Sequence, residues 1–237
     1  MYEITLIDLS IGFVPVLVTL VIIFYWADNV KLAVLAVIRM LLQLMVIGYA
    51  LNFIFNADSQ WIILLVLTFM LVAASWISLN TLPMKTMLIF KYSLFAIFGG
   101  GVSILIWVTQ GVLQIEPWYQ PAVIIPLAGM IFSNAMNSIS LAGERLFSEL
   151  QHLADYQRAR SIAFQAAMIP VINSLLAVGL VSLPGMMTGQ ILAGVSPLIA
   201  ARYQIIVMCM IFSSAGIATA LFLWLLKKQN DVVEQGA

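Results

Sequence analysis

The sequence predicts an all-α integral membrane protein with about seven transmembrane helices. Of its 237 residues, 63% are hydrophobic and only 8% are charged, whereas a soluble domain is about half apolar and a quarter charged. The charges stand between long uncharged runs, and a helix needs roughly 20 apolar residues to cross a bilayer. This composition excludes a soluble enzyme, a nucleic-acid-binding protein and a disordered chain. The composition therefore predicts that the lipid bilayer is a partner of this protein.

The uncharged runs give the positions of the spans. We predict a single transmembrane domain over residues 1–237, with spans at about 7–26, 32–55, 61–82, 92–114, 122–142, 161–183 and 199–226. The residues before the first span are Met1-Tyr2-Glu3. They offer no basic region, and no small-residue cleavage site follows the span, so we expect it to stay in the membrane rather than be removed as a signal peptide.

The uncharged stretch 161–201 is long enough for one crossing or two. Its second half is interrupted by Pro184, Gly185, Gly189, Gly194 and Pro197. We therefore predict one span followed by a broken segment near 184–197. Two interpretations stay open for this segment. It is either a re-entrant element that lines a wet cavity, as broken helices do in transporters, or an ordinary extracellular hairpin.

The distribution of basic residues predicts the orientation. Seven spans put the connections 27–31, 83–91 and 143–160 on the same side as the C-terminus. That side carries Lys31, Lys85, Lys91, Arg145, Arg158, Arg160, Lys227 and Lys228. The opposite connections, 56–60 and 115–121, carry only acidic residues. Because basic residues are enriched in cytoplasmic loops, we expect the N-terminus outside and the C-terminus in the cytoplasm.

Polar residues inside the spans are the candidate functional residues. Arg39 and Gln43 lie one helical turn apart in the second span. An arginine at the bilayer centre costs roughly 2.5–3.5 kcal/mol. The pair either faces a polar pathway or a partner helix, or Arg39 extends its side chain to the membrane surface.

The fifth span carries a stripe of small and polar residues. Gly129, Ser133 and Asn137 recur every four residues, and Asn134 lies within helical reach of Asn137. The sixth span adds Asn173. Such residues either join helices by hydrogen bonds or line a path for substrate, and one seam can do both. The remaining path candidates are Met130 on the stripe and Met186, Met187 and Gln190 on the broken segment.

The motifs of several enzyme classes are missing from the sequence. It has no P-loop motif, and its only histidine, His152, lies in a charged connection. The spans contain no cage of carboxylates or histidines, so we predict neither catalysis nor a bound cofactor or metal in this chain. The energy for any transport must then come from a gradient or from a partner.

The connection 143–160 is the candidate coupling element. Leu146, Leu150 and Leu153 recur at helical spacing, which predicts an amphipathic helix. Such a helix docks a soluble partner or lies flat on the membrane surface. The charged residues assigned to partner coupling are Glu144, Arg145, Glu149 and Arg158.

Three stretches of the chain resemble one family of membrane proteins. They are 126–130 together with 134–136, the sixteen-residue block 179–194, and Tyr203-Gln204. They closely resemble the FetB-type permeases of ABC transporters, which include the bacterial iron-export permease and plant aluminium-sensitivity membrane proteins. The similarity covers nearly the whole chain.

The resemblance implies a permease subunit in the plasma (inner) membrane that pairs with a separate ATPase subunit, which binds ATP and Mg²⁺. It further implies export of iron or a related metal or small solute, and two copies of each subunit. Relative to the family pattern, the connection 143–160 is shorter and lacks a Leu-Gly-Ala turn. The alternatives are therefore a channel or gradient-driven carrier that acts alone, or a membrane partner subunit that transports nothing.

Overall fold

The computed structural model describes residues 5–27, 30–55, 59–152 and 155–235. Within these ranges the protein is helical, and the only β-type pairing is an isolated bridge between Val178 and Ser182. Seven helical stretches are long and apolar enough to cross a membrane. They are Ile7–Trp26, Val30–Leu51, Gln60–Ile77, Met87–Val112, Pro121–Leu150, Tyr156–Ala177 and Pro197–Lys227. The predicted all-α membrane fold with seven spans is confirmed.

The chain forms two compact units, of which the first is Met1–Ala57. It contains α1 (Leu6–Gly12), α2 (Val14–Trp26) and α3 (Val30–Phe55). Thr5 caps α1, because its hydroxyl accepts a hydrogen bond from the backbone N–H of Asp8 and the Asp8 carboxylate accepts one from the Thr5 N–H. A short break at Phe13 separates α1 from α2, whose first turn contains Pro15. The two helices together form the first span.

The second unit is Asp58–Ala237. It begins with α4 (Gln60–Ile77). The next span is one continuous path of α5 (Met87–Ile97), the π-helical turn π1 (Phe98–Val102), α6 (Ser103–Ile106) and a second π-helical turn, π2 (Trp107–Val112). There follow α7 (Pro121–Leu150), α8 (Tyr156–Ala177), the short α9 (Gly185–Leu192) and α10 (Pro197–Gln235).

The long helices α7 and α10 form the centre of the second unit. Helix α7 packs against α4, α8 and α10, and α10 also packs against α5 and π1. One face of α7 supplies a row of fully buried side chains, which are Leu127, Ile131, Ala135, Ile139, Ala142 and Leu146. Their spacing keeps them on one side of the helix, so the opposite side of α7 is left for other contacts.

A glycine run lets the fourth span touch the backbone of α10. A Cβ atom on Gly100 would lie 2.5 Å from the backbone nitrogen of Ala218, and one on Gly101 would lie 3.1 Å from Ile131 Cγ2. Only a residue without a side chain fits at Gly100. The widened π turn π1 coincides with this crossing, as π turns often do at special contacts.

Three serines join α4, α5 and α7 at one end of the bundle. The hydroxyls of Ser78 and Ser93 are 2.7 Å apart in a buried hydrogen bond. The Ser140 hydroxyl donates to the carbonyl oxygen of Ser78 at 2.9 Å. These bonds satisfy hydroxyl groups that would be costly to bury unpaired.

The helix boundaries differ from the predicted span boundaries where charged residues are involved. Helix α5 begins at Met87, with Thr86 as its cap, so Lys91 lies inside a helix. Helix α7 continues to Leu150, and α8 begins at Tyr156 behind the cap Asp155. The predictions rested on charge-free runs, whereas a helix can continue past a charged residue at either end of such a run. Helix α8 ends at Ala177, before Gly179 at a φ of 81°.

Candidate functional site: the polar face of α7

Four of the predicted site residues lie on the side of α7 that the core leaves free. Ser133 and Asn137 are exposed, and Met130 and Asn134 are partly buried. Glu144 follows on the same side at the end of the helix. We call Met130, Ser133, Asn134 and Asn137 the α7 polar face. The structure thus confirms that these side chains share one side of a membrane-spanning helix.

Hydrogen bonds on the α7 polar face remain within the helix. The Asn134 amide nitrogen Nδ2 donates to the carbonyl oxygen of Met130 at 2.8 Å, and the Ser133 hydroxyl donates to the same oxygen at 3.3 Å. Asn134 and Asn137 were predicted to lie within reach of each other, but no hydrogen bond joins them in the described part of the chain. Asn137 is exposed, and its amide makes no hydrogen bond in the described part of the chain.

An exposed amide in the middle of a span requires a polar neighbour. Hydrocarbon offers it no hydrogen-bond partner, and polar residues within spans usually face a bundle interior or a wet cavity. Gly129, which precedes Ser133 by one turn, lies on the side of α7 towards α4, where a Cβ would lie 3.5 Å from the Met70 methyl group. Helix α4 therefore packs beside the stripe of Gly129, Ser133 and Asn137 at its Gly129 end.

Asn173 lies on α8, the antiparallel neighbour of α7, and its side chain is exposed. The connection between the two helices is short, so Asn134 and Asn173 lie at similar distances from it along their helices. No hydrogen bond joins them in the described residues. Asn173 is therefore at the depth of the α7 polar face without contacting it.

The broken segment is a short helix that packs along α10. Met186 packs against the hydrophobic core, and Met187 lines a cavity of about 320 Å³ together with Gln204 and Met208 of α10. The Oε1 atoms of Gln190 and Gln204 are buried without a hydrogen-bond partner. The segment is thus packed beside the first turns of α10, a position that fits both interpretations of it, and its residues form a second cluster apart from the α7 polar face.

The second cluster contains a residue to which we assigned no role from sequence. Gln204 is only 5% exposed, yet it stands in a helix of otherwise apolar character. A buried amide oxygen without a partner is costly. Residue spacing could not connect Gln204 with Met187. Gln204 lies beyond the uncharged run 161–201, and the break at 184–197 separates the two residues in the sequence.

Arg39 and Gln43 belong to the first compact unit. Both are exposed and lie one turn apart on α3. In the described part of that unit, neither makes an ion pair or a side-chain hydrogen bond.

The predicted coupling residues lie at the junction of α7 and α8. Arg145 Nη2 and Glu149 Oε1 form an ion pair at 2.6 Å within α7. Glu144, Arg145 and Arg158 are exposed. The connection is not a separate surface helix, because Leu146 is 1% exposed and belongs to the core face of α7. Leu153 lies outside the described residues.

Three parts of the second unit meet at this junction. A cavity of about 50 Å³ is lined by Met84 from the α4–α5 connection, Leu150, Tyr156 and Leu226. The Tyr156 hydroxyl donates to the Leu223 carbonyl oxygen at 2.5 Å. We call this end the basic end, since Lys85, Arg145, Arg158, Arg160 and Lys227 stand on the elements that form it. That grouping is what the distribution of basic residues predicted.

The described residues contain no group of three His, Cys, Asp or Glu side chains that would hold a metal ion. Apart from Arg39, the path candidates instead offer amide oxygens, one hydroxyl and thioethers. These groups are neutral and would make transient contacts with a solute.

Comparison with known proteins identifies relatives along most of the chain. The model of an uncharacterised protein family, UPF0014, matches residues 6–160 and 151–230. The chain is 38% identical over 199 residues to a UPF0014 membrane protein of Synechocystis, covering 76% of each chain. It is 33% identical over 202 residues to the probable iron export permease protein FetB of Escherichia coli, covering 79% of this chain and 76% of FetB.

A plant relative is the protein ALUMINUM SENSITIVE 3 of Arabidopsis thaliana, 30% identical over 223 residues, which cover 86% of this chain and 80% of the relative. No solved structure matches the chain. The resemblance predicted from the fifth span and the block 179–194 is confirmed. The two matched segments overlap at 151–160, within the connection 143–160 for which the resemblance predicts a departure from the family pattern.

Proposed function

Because the chain belongs to the UPF0014 family of membrane proteins, we propose that it is the permease subunit of an ABC transporter. In this proposal it exports iron or a related metal or small solute across the plasma membrane. The observation that supports it best is the α7 polar face, where Asn137 is exposed in the middle of a membrane-spanning helix. A polar side chain in that position either joins helices or faces a wet cavity, and the proposal rests on the second role.

The α7 polar face supplies ligands that exchange quickly. Amide oxygens and hydroxyls replace part of the hydration shell of a cation, and the Met130 thioether suits a softer ion. None of these groups carries a charge, so a cation is held weakly enough to leave. The α7 polar face is therefore suited to passage rather than storage.

A homodimer would complete the path. The α7 polar face lies on one exposed surface of the second unit, and a second copy related by twofold symmetry would present the same surface in return. The two rows of amides would then enclose a polar seam and shield it from lipid. This arrangement removes the cost of exposing Asn137 to hydrocarbon.

The driving energy comes from a partner ATPase in this proposal. The sequence has no P-loop motif, so ATP and Mg²⁺ would be bound by the partner, and this chain would catalyse no reaction itself. The basic end offers the docking surface, with Glu144, Arg145 and Arg158 exposed. Helix α7 runs without interruption from this end to the α7 polar face, so tilting α7 would move both together.

Affinity purification from native membranes tests the partnership. The full chain, tagged at one terminus, is solubilised in mild detergent, and co-purifying proteins are identified by mass spectrometry. The proposal expects a P-loop ATPase in a ratio near one to one, with ATP hydrolysis in the eluate. Purification of the chain without any ATPase, from cells that express it at native level, would contradict the proposal and favour a channel or carrier that acts alone.

A further inference from the structure

An open groove runs between α8 and α10 of the second unit. Its apolar part has a volume of about 630 Å³, and its walls include Phe164, Met168 and Ile172 of α8 and Phe212, Gly216 and Ile217 of α10. Ile172, Phe212 and Ile217 are each more than 40% exposed. The two helices thus leave a furrow on the surface of the second unit that no side chain of the described residues fills.

Gly216 keeps this furrow open. A Cβ at this position would lie 3.7 Å from the Met168 methyl group, which is ordinary contact distance. A larger side chain would extend from there into the furrow. Gly216 therefore sets the width of the groove.

The end of the groove nearest the α7–α8 connection is polar. A cavity of about 310 Å³ shares Phe164 and Gln165 with the apolar part, and it is also lined by Arg160, Ser161 and Leu223. Arg160 forms no ion pair in the described part of the chain. The Asp155 carboxylate, the nearest acid before it in α8, instead accepts a hydrogen bond from the Gln157 N–H at 2.8 Å.

We propose that this groove is a binding site for one anionic phospholipid. The Arg160 guanidinium and the Ser161 hydroxyl would hold the headgroup phosphate, and an acyl chain would lie between Phe164 and Phe212. A guanidinium binds phosphate with two parallel hydrogen bonds. Basic pockets between transmembrane helices commonly bind anionic headgroups. The inference stands on α8 and α10 alone, and it does not depend on the transported solute or on an ATPase.

The arrangement favours a lipid over a protein in this groove. A phospholipid is charged at one end and apolar along the rest, and the groove has the same order, with Arg160 at the basic end and apolar side chains towards the middle of the spans. A protein in this groove would need both an apolar surface and an acid in the same order, whereas an anionic phospholipid has that order by its own chemistry.

Native mass spectrometry of the purified full-length chain tests the proposal. The protein is titrated with phosphatidylglycerol and, separately, with phosphatidylcholine of the same acyl chains. We expect phosphatidylglycerol to bind about fivefold more tightly, since one basic residue near the membrane surface contributes about 1 kcal/mol. R160Q should abolish this preference, whereas R158Q, which removes an exposed charge two residues away on the same helix, should retain it.

A second variant tests the apolar part of the groove. G216F should weaken the binding of both lipids by the same factor, because the added ring occupies the acyl-chain position. Size-exclusion chromatography shows whether each variant remains folded, and R160K, which keeps the charge but loses the paired hydrogen bonds, should weaken the preference if R160Q does not fold. Equal binding of the two lipids, an unchanged preference in R160Q or R160K, or displacement by inorganic phosphate at millimolar concentration would each overturn the proposal.

Discussion

Asn137 carries an exposed amide group in the middle of α7, while the other polar groups of the α7 polar face bond to their own helix. The Asn134 amide and the Ser133 hydroxyl both donate to the Met130 carbonyl oxygen. Of the residues on this face, Asn137 is therefore the one whose whole hydrogen-bonding capacity is available to a passing solute or to a second copy. Its amide oxygen is suited to contact a cation, and its amide N–H groups are suited to contact a carbonyl oxygen.

Replacing Asn137 by leucine should reduce transport more than it reduces stability. A leucine side chain would fit the exposed position, so we expect the thermal unfolding temperature to change little. One polar contact to the solute contributes about 1–2 kcal/mol, so its loss corresponds to a roughly five- to thirtyfold lower transport rate. Metal efflux from cells, normalised to the amount of protein in the membrane, measures the effect.

The control for this substitution is Thr68→Val. Thr68 is a polar residue of α4 whose hydroxyl bonds to the carbonyl oxygen of Leu64 in its own helix, at 2.7 Å. Normal transport in N137L, at matched expression, would remove Asn137 from the pathway.

Gly100 is a residue whose importance is structural. Because a Cβ there would lie 2.5 Å from the backbone nitrogen of Ala218, Gly100→Ala should separate π1 from α10 and destabilise the fold by about 1–3 kcal/mol. Gly48→Ala is the matched helical control, since a Cβ at Gly48 would meet nothing within 4 Å. Thermal unfolding in one detergent measures both. Equal unfolding temperatures for G100A and the unaltered chain would show that the crossing tolerates a side chain.

At the scale of elements, α9 is the short helix of the broken segment, and it packs along α10. Its residue Met187 lines a cavity that Gln204 of α10 also lines, and the amide oxygen of Gln204 is buried and unpaired. A substitution at Met187 therefore tests whether α9 takes part in the proposed transport.

Met187→Ala should impair transport and leave the unfolding temperature within a few degrees of the original. The side chain is only partly buried, so its removal opens the existing cavity without disturbing the central core. Leu192→Ala serves as the control, since Leu192 is on the same helix but 75% exposed. If M187A and L192A transport equally well, α9 is no part of the pathway.

A substitution in α7 tests the proposed coupling to the partner ATPase. Reversing the charge of one exposed residue at the basic end, by Arg145→Glu, breaks the ion pair with Glu149 and places two acids one turn apart. We expect severalfold less ATPase in the affinity-purified complex, with the amount of permease in the membrane unchanged. Arg202→Glu, an exposed charge on the first turns of α10, should leave the complex intact. Equal loss in both variants would indicate a general effect of charge rather than docking at α7.

The spans and the α7 polar face follow from composition and spacing. Charge-free runs located all seven spans, and the four-residue repeat of Gly129, Ser133 and Asn137 placed small and polar groups on one side of α7. The charge-free runs did not predict the helix ends, because a charged residue such as Lys91 lies within a helix rather than before it. The hydrogen bond of Asn134 within its own helix was not predicted either. A side-chain amide on a helix can bond to a carbonyl oxygen of that helix instead of to a neighbouring side chain.

The contact between π1 and α10 depends on the tertiary fold. The glycine run at 99–101 was visible in the sequence, but its partner, Ala218, is distant along the chain. The cluster of Met187, Gln190 and Gln204 likewise depends on how α9 packs on α10. Spacing rules connect residues within one helix, and they do not connect residues on helices that meet only after folding.

For the whole molecule, the proposed function needs a path, a driving partner and a membrane. In this proposal the α7 polar face is the path and the basic end is the docking surface, and α7 links the two along one continuous helix. The second unit carries both of these features, since it contains α4 to α10. Family membership and the missing P-loop motif together favour a transporter whose energy is supplied by a separate subunit.

Flux measurements in proteoliposomes test this central claim most directly. The purified chain is reconstituted alone or with the ATPase that co-purifies with it, and ferrous iron movement is followed with and without Mg-ATP. The account predicts flux only when both subunits and ATP are present, and none with an ATPase variant that cannot hydrolyse ATP. Sustained transport by this chain alone, without ATP, would contradict it.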